Sequence, residues 1–202
     1  MIDFDKHPAR IIGLLQDRYG EDITFEFSRY IHSPQQLFDK RETFELVGQE
    51  VSGSQVMKII QSLSADEELA MHSRVRRRGR NYHIPMIDFV SNDWTRELES
   101  EIRKYTPRNI YRQLQIFSSG RSYHAYGICL LEPREWLDFM GRLLLINPPT
   151  SPEFVDTRWV GHRLIGGFSS LRWSCNTSQY KKYPEFLDDA QRIRIISNGS
   201  TD

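Results

Sequence analysis

The stretch LQIFSSGRSYHAYGICLL, residues 114–131, decides how this chain is read. Two apolar segments, 110–117 and 123–131, flank the turn Ser118-Ser119-Gly120-Arg121. Glycine lets the backbone turn without a Cβ clash, and serines favour such turns. Around it stand hydroxyls, a guanidinium and an imidazole, the groups that hold phosphate oxygens. The pattern predicts a β-hairpin over an anion. Alternation along its second arm places Tyr126 with His124 on one face and Tyr123 on the other, with one face buried.

Upstream of the hairpin, Glu67–Arg76 and Tyr82–Val90 read as two strands around Arg77-Arg78-Gly79-Arg80-Asn81. Arg74, Arg76, Arg77, Arg78 and Arg80 form the densest basic cluster in the chain. Such a run is either a solvated hairpin tip or a contact for a phosphate backbone. The second strand holds one carboxylate, Asp88, near its end. Ser91, Asn92 and Asp93 can cap the helix expected over Trp94–Tyr105, so Asp88 is free of that duty. A carboxylate inside an apolar strand needs a partner, and a metal ion is one.

Composition limits what such a site can belong to. The chain has 202 residues, 39% hydrophobic and 12% aromatic, enough for an ordinary core in one domain. Lys plus Arg and Asp plus Glu are 27 each, so bulk charge does not attract nucleic acid and any basic groove is local. The two cysteines, Cys129 and Cys175, stand far apart without a C-x-x-C companion, which argues against disulfide or zinc scaffolds and for a reducing, cytoplasmic setting. No leader-like segment or membrane-length apolar run is present, so no membrane partner is expected.

Elsewhere the chain alternates helical and strand patterns. Pro8–Tyr19 reads as a helix closed by Gly20, Ile23–Ile31 as a strand, and Gln55–Leu63 as a core helix, with 33–50 unassigned. After the hairpin come an apolar helix, Pro133–Leu145, and a loop with Pro148, Pro149 and Pro152. Phe154–Leu164 reads as a helix with Val155 and Trp159 packed inward and Arg158 and Arg163 on the solvent or ligand side. A strand follows at Ser169–Trp173, then a short helix around Glu185–Ala190 and a last strand at Ile193–Ile196. The whole reads as one α/β (α+β) domain over 1–202: an N-terminal helix–strand–helix segment over 1–65, a motif-bearing core 66–182 and a tail 183–202.

The order of these features resembles the catalytic domain of archaeo-eukaryotic primases and primase-polymerases. The resemblance is carried by Ile87-Asp88, by Ser119-Gly120-Arg121-Ser122-Tyr123-His124, by Val155-Asp156 and by Leu171-Arg172-Trp173-Ser174. Together these cover about half the chain, residues 82–182. What the resemblance implies is an RRM-like palm, with a mixed or antiparallel sheet flanked by helices, acting as a metal-dependent nucleotidyltransferase. Asp88 and Asp156 would hold Mg²⁺ or Mn²⁺ and, with His124, form the catalytic set. Arg121, Ser122, His124, Arg172 and Ser174 would contact the phosphates of a nucleoside triphosphate. Arg76, Arg77, Arg78 and Arg80 would meet the DNA or RNA template.

The first motif departs from the family. Members carry two acids one residue apart, whereas Met86 and Val90 flank Asp88 at that spacing. The arginine motif also departs, since Trp173-Ser174-Cys175 stands where the family continues to histidine and lysine. Two readings therefore remain: a primase-polymerase-type transferase, or a weakened domain that binds nucleotide or nucleic acid within a replication, repair or mobile-element defence complex. The chain shows no helicase motif and no zinc module, so either reading expects protein partners in trans. The bland alternative is an unrelated α/β protein in which His124 is a satisfied hairpin histidine and Asp156 a helix cap.

Overall fold

The computed structural model describes residues 3–33, 40–149 and 152–198, which form two antiparallel sheets with helices packed on them. Helix α1 (Arg10–Tyr19) turns Ile11, Ile12 and Leu15 inward. Strand β1 (Thr24–Ile31) buries Phe25 and Phe27 on one face and carries Glu26, Ser28 and Tyr30 on the other. Strand β2 (Lys40–Val47) fills some of the stretch that the sequence left unassigned, while 34–39 lie outside the described residues. It pairs with β1 alone and is mostly exposed, so its residues, KRETFELV, show no apolar alternation.

Helix α2 (Gly53–Gln61) starts where the Ser52 side chain accepts from the Gln55 amide at 3.2 Å. Strand β3 (Glu67–Arg77) is the centre of the first sheet. It pairs with β1 on one edge, and with β4 (Arg80–His83) and β8 (Ser170–Arg172) on the other. The expected single strand over Tyr82–Val90 is two strands in different sheets. Pro85 has no N–H for a ladder, so β4 stops at His83 and β5 (Met86–Asp88) begins in the second sheet.

The second sheet runs β5, β7 (Tyr123–Gly127), β6 (Leu114–Ser118), β9 (Glu185–Leu187). The hairpin is there, but its arms are shorter than expected, because helix α4 (Arg108–Tyr111) takes the residues before Leu114. The tail reverses the expected order. Glu185–Leu187 pairs with β6, and Ile193–Ile196 lies within helix α7 (Asp189–Asn198). The reason is a capping box: Asp188 Oδ1 accepts from the Gln191 amide at 2.7 Å, and Gln191 Oε1 accepts from the Asp188 amide at 3.0 Å.

Helix α3 (Arg96–Tyr105) is capped by Thr95, which accepts from the Leu98 amide at 3.1 Å, and not by Ser91–Asp93. Helix α5 (Pro133–Leu145) has the expected bounds, with proline at its first position. Helix α6 (Thr157–Gly166) covers the charged segment and ends at Gly167, whose φ of 74° is left-handed.

Two cores result. Ile87, Ile116, Ala125, Trp136, Phe139 and Leu143 join the second sheet to α3, α5 and α6. Phe25, Phe27 and Met71 of the first sheet pack with α1, α2, Phe117, Tyr126 and Trp173. The second sheet is thus buried on both faces: Tyr123 enters one core and Tyr126 the other, where one buried face was expected. Burying each large aromatic contributes about 2–3 kcal/mol. Among the described residues no helix is long and apolar enough to cross a membrane.

Candidate functional site

A cavity of about 640 Å³ opens where the polar face of the first sheet meets the ends of β5 and β7 and the β6–β7 turn. On its acidic side Asp88 and His124 are cross-strand neighbours, with His124 Nε2 at 3.6 Å from Asp88 Oδ1. A short bridge, Phe89 to Val155, lays the start of α6 beside β5, and the Asp156 amide donates to the Asp88 carbonyl at 3.0 Å. This brings the second carboxylate to the first. Asp156 also caps α6, since its Oδ1 accepts from the Trp159 amide at 2.7 Å. The cap and the site are compatible because the cap uses one oxygen.

Burial, followed by the neighbouring charge of Asp156, pushes the Asp88 carboxyl up to about 7. Burial, helped by Arg172, pushes His124 down to about 3. His124 is therefore neutral near pH 7, and its contact with Asp88 is no ion pair. Its Nδ1 is buried with no hydrogen-bond partner. A buried polar atom left unpaired costs about 1–3 kcal/mol, and this one belongs to a residue that lines the cavity.

The turn makes the opposite wall. Ser119 N donates to the Ser122 carbonyl at 2.8 Å, and the two hydroxyls meet at 3.1 Å. Gly120 has φ 109°, and a Cβ there would stand 3.3 Å from Lys182 Cγ. Arg121 projects into the cavity, with its nearest protein acceptor, the Gln179 carbonyl, at 3.5 Å.

Arg172 lies between the turn and the segment after β8. It donates to the carbonyls of Ser119 at 2.9 Å, Lys182 at 3.2 Å and Ser174, and it stacks on Tyr180 at 3.9 Å. It is 5% exposed. Its donors hold two backbone segments together. Ser174 does not line the cavity: its hydroxyl accepts from the Leu69 amide at 2.7 Å and donates to the buried Glu68 carboxylate. Glu68 also receives the amides of Asn176 and Thr177, which pins the base of the same segment.

The Arg76–Arg80 cluster lies away from the cavity, at the β3–β4 tip. Arg76 pairs with Glu45 at 2.7 Å and Arg77 donates to the Tyr19 carbonyl at 2.7 Å, while Arg78 and Arg80 are exposed. Residues that the sequence did not single out complete the cavity: Tyr30 and Arg41 from β1 and β2, and Tyr180 and Lys181 after β8. Arg158 and Trp159 of α6 also line it; Trp159 packs against both cores as expected and donates to the Ser170 carbonyl at 3.1 Å.

A family description, archaeo-eukaryotic primase 1D-like (AEP-like), matches residues 47–185, more than half of the chain. The chain belongs to that family. A solved structure with the same fold is the catalytic domain of primase Repb' in complex with initiator DNA, at a TM-score of 0.51 and 10% identity over 95% of this chain and 93% of that one. No curated protein matches. The primase family's order of acid, hairpin, acid and arginine is therefore realised in space: Asp88, Ser122, His124, Asp156 and Arg172 come from four separate segments and line one cavity.

Among the described residues no group of three or more His, Cys, Asp or Glu side chains is placed to hold a metal ion. Of the two residues that flank Asp88 at the family's spacing, Met86 is fully buried and Val90 is exposed. Two neighbouring carboxylates still fit one hard divalent ion. Magnesium is commonly held by one or two carboxylates, with water and ligand phosphate oxygens completing the shell. The raised pKa of Asp88 is the strain that such an ion would relieve.

Proposed function

We propose that this primase-like domain is a nucleotidyltransferase that binds a nucleoside triphosphate and a DNA or RNA template. The observation that carries the reading is one cavity lined by two carboxylates, a serine-bearing turn and His124, whose Nδ1 is buried without a partner. Asp88 and Asp156 would hold Mg²⁺ or Mn²⁺, and such an ion, when bound, would supply charge neutralisation at the phosphates and lower the pKa of the attacking hydroxyl. Ser122, Arg121 and His124 bind and orient the triphosphate, and neutral His124 can offer either a donor or an acceptor there. Arg172 fixes the turn from behind, so the turn's donors are set before ligand arrives. The Repb' primase structure contains initiator DNA, which supports a nucleic-acid ligand for this domain. Helicase or other replication or defence functions come from partners in trans.

The test is template-dependent primer synthesis or extension with labelled nucleotides and Mg²⁺ or Mn²⁺. Asp88→Ala and Asp156→Asn are each expected to abolish it while the protein stays folded. Extension that survives both substitutions overturns the assignment.

The single acid on β5 favours a second reading, a domain that binds nucleotide or nucleic acid without transfer. It is distinguished by binding that persists in Asp88→Ala but falls in Arg121→Ala and His124→Ala, with no extension by the wild type.

A further inference from the structure

On the polar face of the first sheet a chain of hydrogen-bonded groups, buried at its centre, runs from Glu26 to the cavity wall. The Glu26 carboxylate meets His72 Nδ1, His72 Nε2 stands 2.8 Å from Ser28 Oγ, and Arg41 Nη1 donates to Ser28 Oγ at 2.9 Å. His72 and Ser28 are both fully buried. Phe168 stacks on the ring at 4.3 Å, and the Arg74 guanidinium stands 4.4 Å from the centre of Phe168. Arg74 also donates to Glu26, through Nε at 3.0 Å and Nη2 at 2.8 Å.

The donor inventory gives this chain one sense. An ionised carboxylate only accepts, so the proton of a neutral His72 sits on Nδ1. Nε2 then accepts, and Ser28 must donate its hydroxyl hydrogen to it. That leaves the Ser28 lone pairs to receive Arg41. Burial lowers His72 to about 4, which keeps the ring neutral near pH 7. Arg41 lies over the Tyr30 ring at 4.4 Å, and both residues line the cavity. Nothing in this chain of bonds is needed to pair β1 with β3, because the ladder does that. Its outcome is a guanidinium held in one place at the wall facing the turn.

We propose that Glu26, His72 and Ser28 form a positioning relay that sets Arg41 to bind a phosphate group in the cavity. This rests on the nucleotide and nucleic-acid reading above and adds the wall that the family's motifs do not supply. The phosphate is either that of a nucleotide or a phosphodiester of a strand. The shared chemistry is a charge-assisted hydrogen bond to a fixed guanidinium.

The experiment measures binding of two probes, inorganic tripolyphosphate and a short single-stranded DNA oligonucleotide, to the full chain. Arg41→Ala is expected to weaken at least one probe by roughly tenfold or more, as for a lost hydrogen bond to a charged group. Loss for tripolyphosphate alone assigns Arg41 to the nucleotide, and loss for the oligonucleotide alone assigns it to the strand. Ser28→Ala and His72→Gln are expected to weaken the same probe, and to add nothing in an Arg41→Ala background. Ser28→Thr, which keeps the hydroxyl, is expected to restore binding. A Ser28→Ala effect that persists without Arg41, or wild-type affinity in Arg41→Ala while Arg121→Ala weakens binding, overturns the relay and leaves the site reading standing. A wild type that binds neither probe overturns both. Independently of any ligand, the ring ¹⁵N spectrum of His72 is expected to show the Nδ1–H tautomer; an Nε2–H tautomer overturns the relay.

Discussion

The two arginine groups of this chain are gathered in opposite ways. At the β3–β4 tip five arginines crowd seven residues of sequence, and the outermost, Arg78 and Arg80, stand in solvent. Around the cavity Arg41, Arg121, Arg158, Arg163 and Arg172 come from four distant places, and the buried one, Arg172, is clamped by three carbonyls and a tyrosine ring. Density along the chain thus measures how well a charge is solvated, whereas convergence in space measures whether it can act on a ligand. A guanidinium fixed by the fold loses little freedom when it binds, while an exposed one must be ordered first.

The largest effect expected from breaking this contrast lies beside the cavity's cations. Removal of either carboxylate, in Asp88→Ala or Asp156→Asn, is expected to lower nucleotidyl transfer by about a thousandfold or more, read as single-turnover extension. Asp156→Asn keeps an oxygen for the α6 cap, so unchanged thermal unfolding in that variant separates chemistry from folding.

Next is Arg172→Ala, which leaves the carbonyls of Ser119, Ser174 and Lys182 without their donor. It is expected to cost roughly 2–4 kcal/mol of stability by chemical denaturation. Arg172→Lys is expected to recover little, because one ammonium cannot reproduce the planar fork. Full stability in Arg172→Ala would show that the clamp is only a surface contact.

Acidity probes the same fold through its histidines. Burial lowers His7, His72 and His83 from 6.5 to about 4. Groups whose folded pKa is depressed contribute stability above the unfolded value and lose it as pH falls from 6.5 toward 4. Thermal midpoints are expected to drop steeply across that window, and a flat profile would contradict buried, neutral rings. Asp88 has the reverse sign. Its raised pKa, about 7, means stability present in acid is lost as pH rises through 7, so Asp88→Asn is expected to be more stable than the wild type at pH 8.

The smallest effect belongs to the tip. Arg78→Ala with Arg80→Ala is expected to leave thermal unfolding unchanged and to alter oligonucleotide affinity by less than about twofold at moderate salt. A tenfold loss there, with a shallower salt dependence, would move the strand's path out to the tip.

How much of this was legible depended on the signal each residue sends. Helix α5 and the hairpin were readable because apolar periodicity and turn residues agree there. The motif residues were readable by their order. Strand β2 was not, because an edge strand alternates charge with charge, and Arg41 went unseen with it. The break at Pro85 was hidden within one apolar run, since both of its halves are buried. Ile193–Ile196 looked like a strand by composition, yet the Asp188–Gln191 box makes it a helix. That box is itself a sequence signal, and it outweighs four residues of β propensity.

The position of β1, between β2 and β3, has a practical consequence for anyone who trims the chain to the 139 residues of the family match. A fragment beginning at residue 47 lacks both strands, so β3 would present Leu69, Ala70 and Met71 along an open edge. Such an edge recruits other copies of itself. The shortened protein is therefore expected to aggregate on expression more than the full chain does.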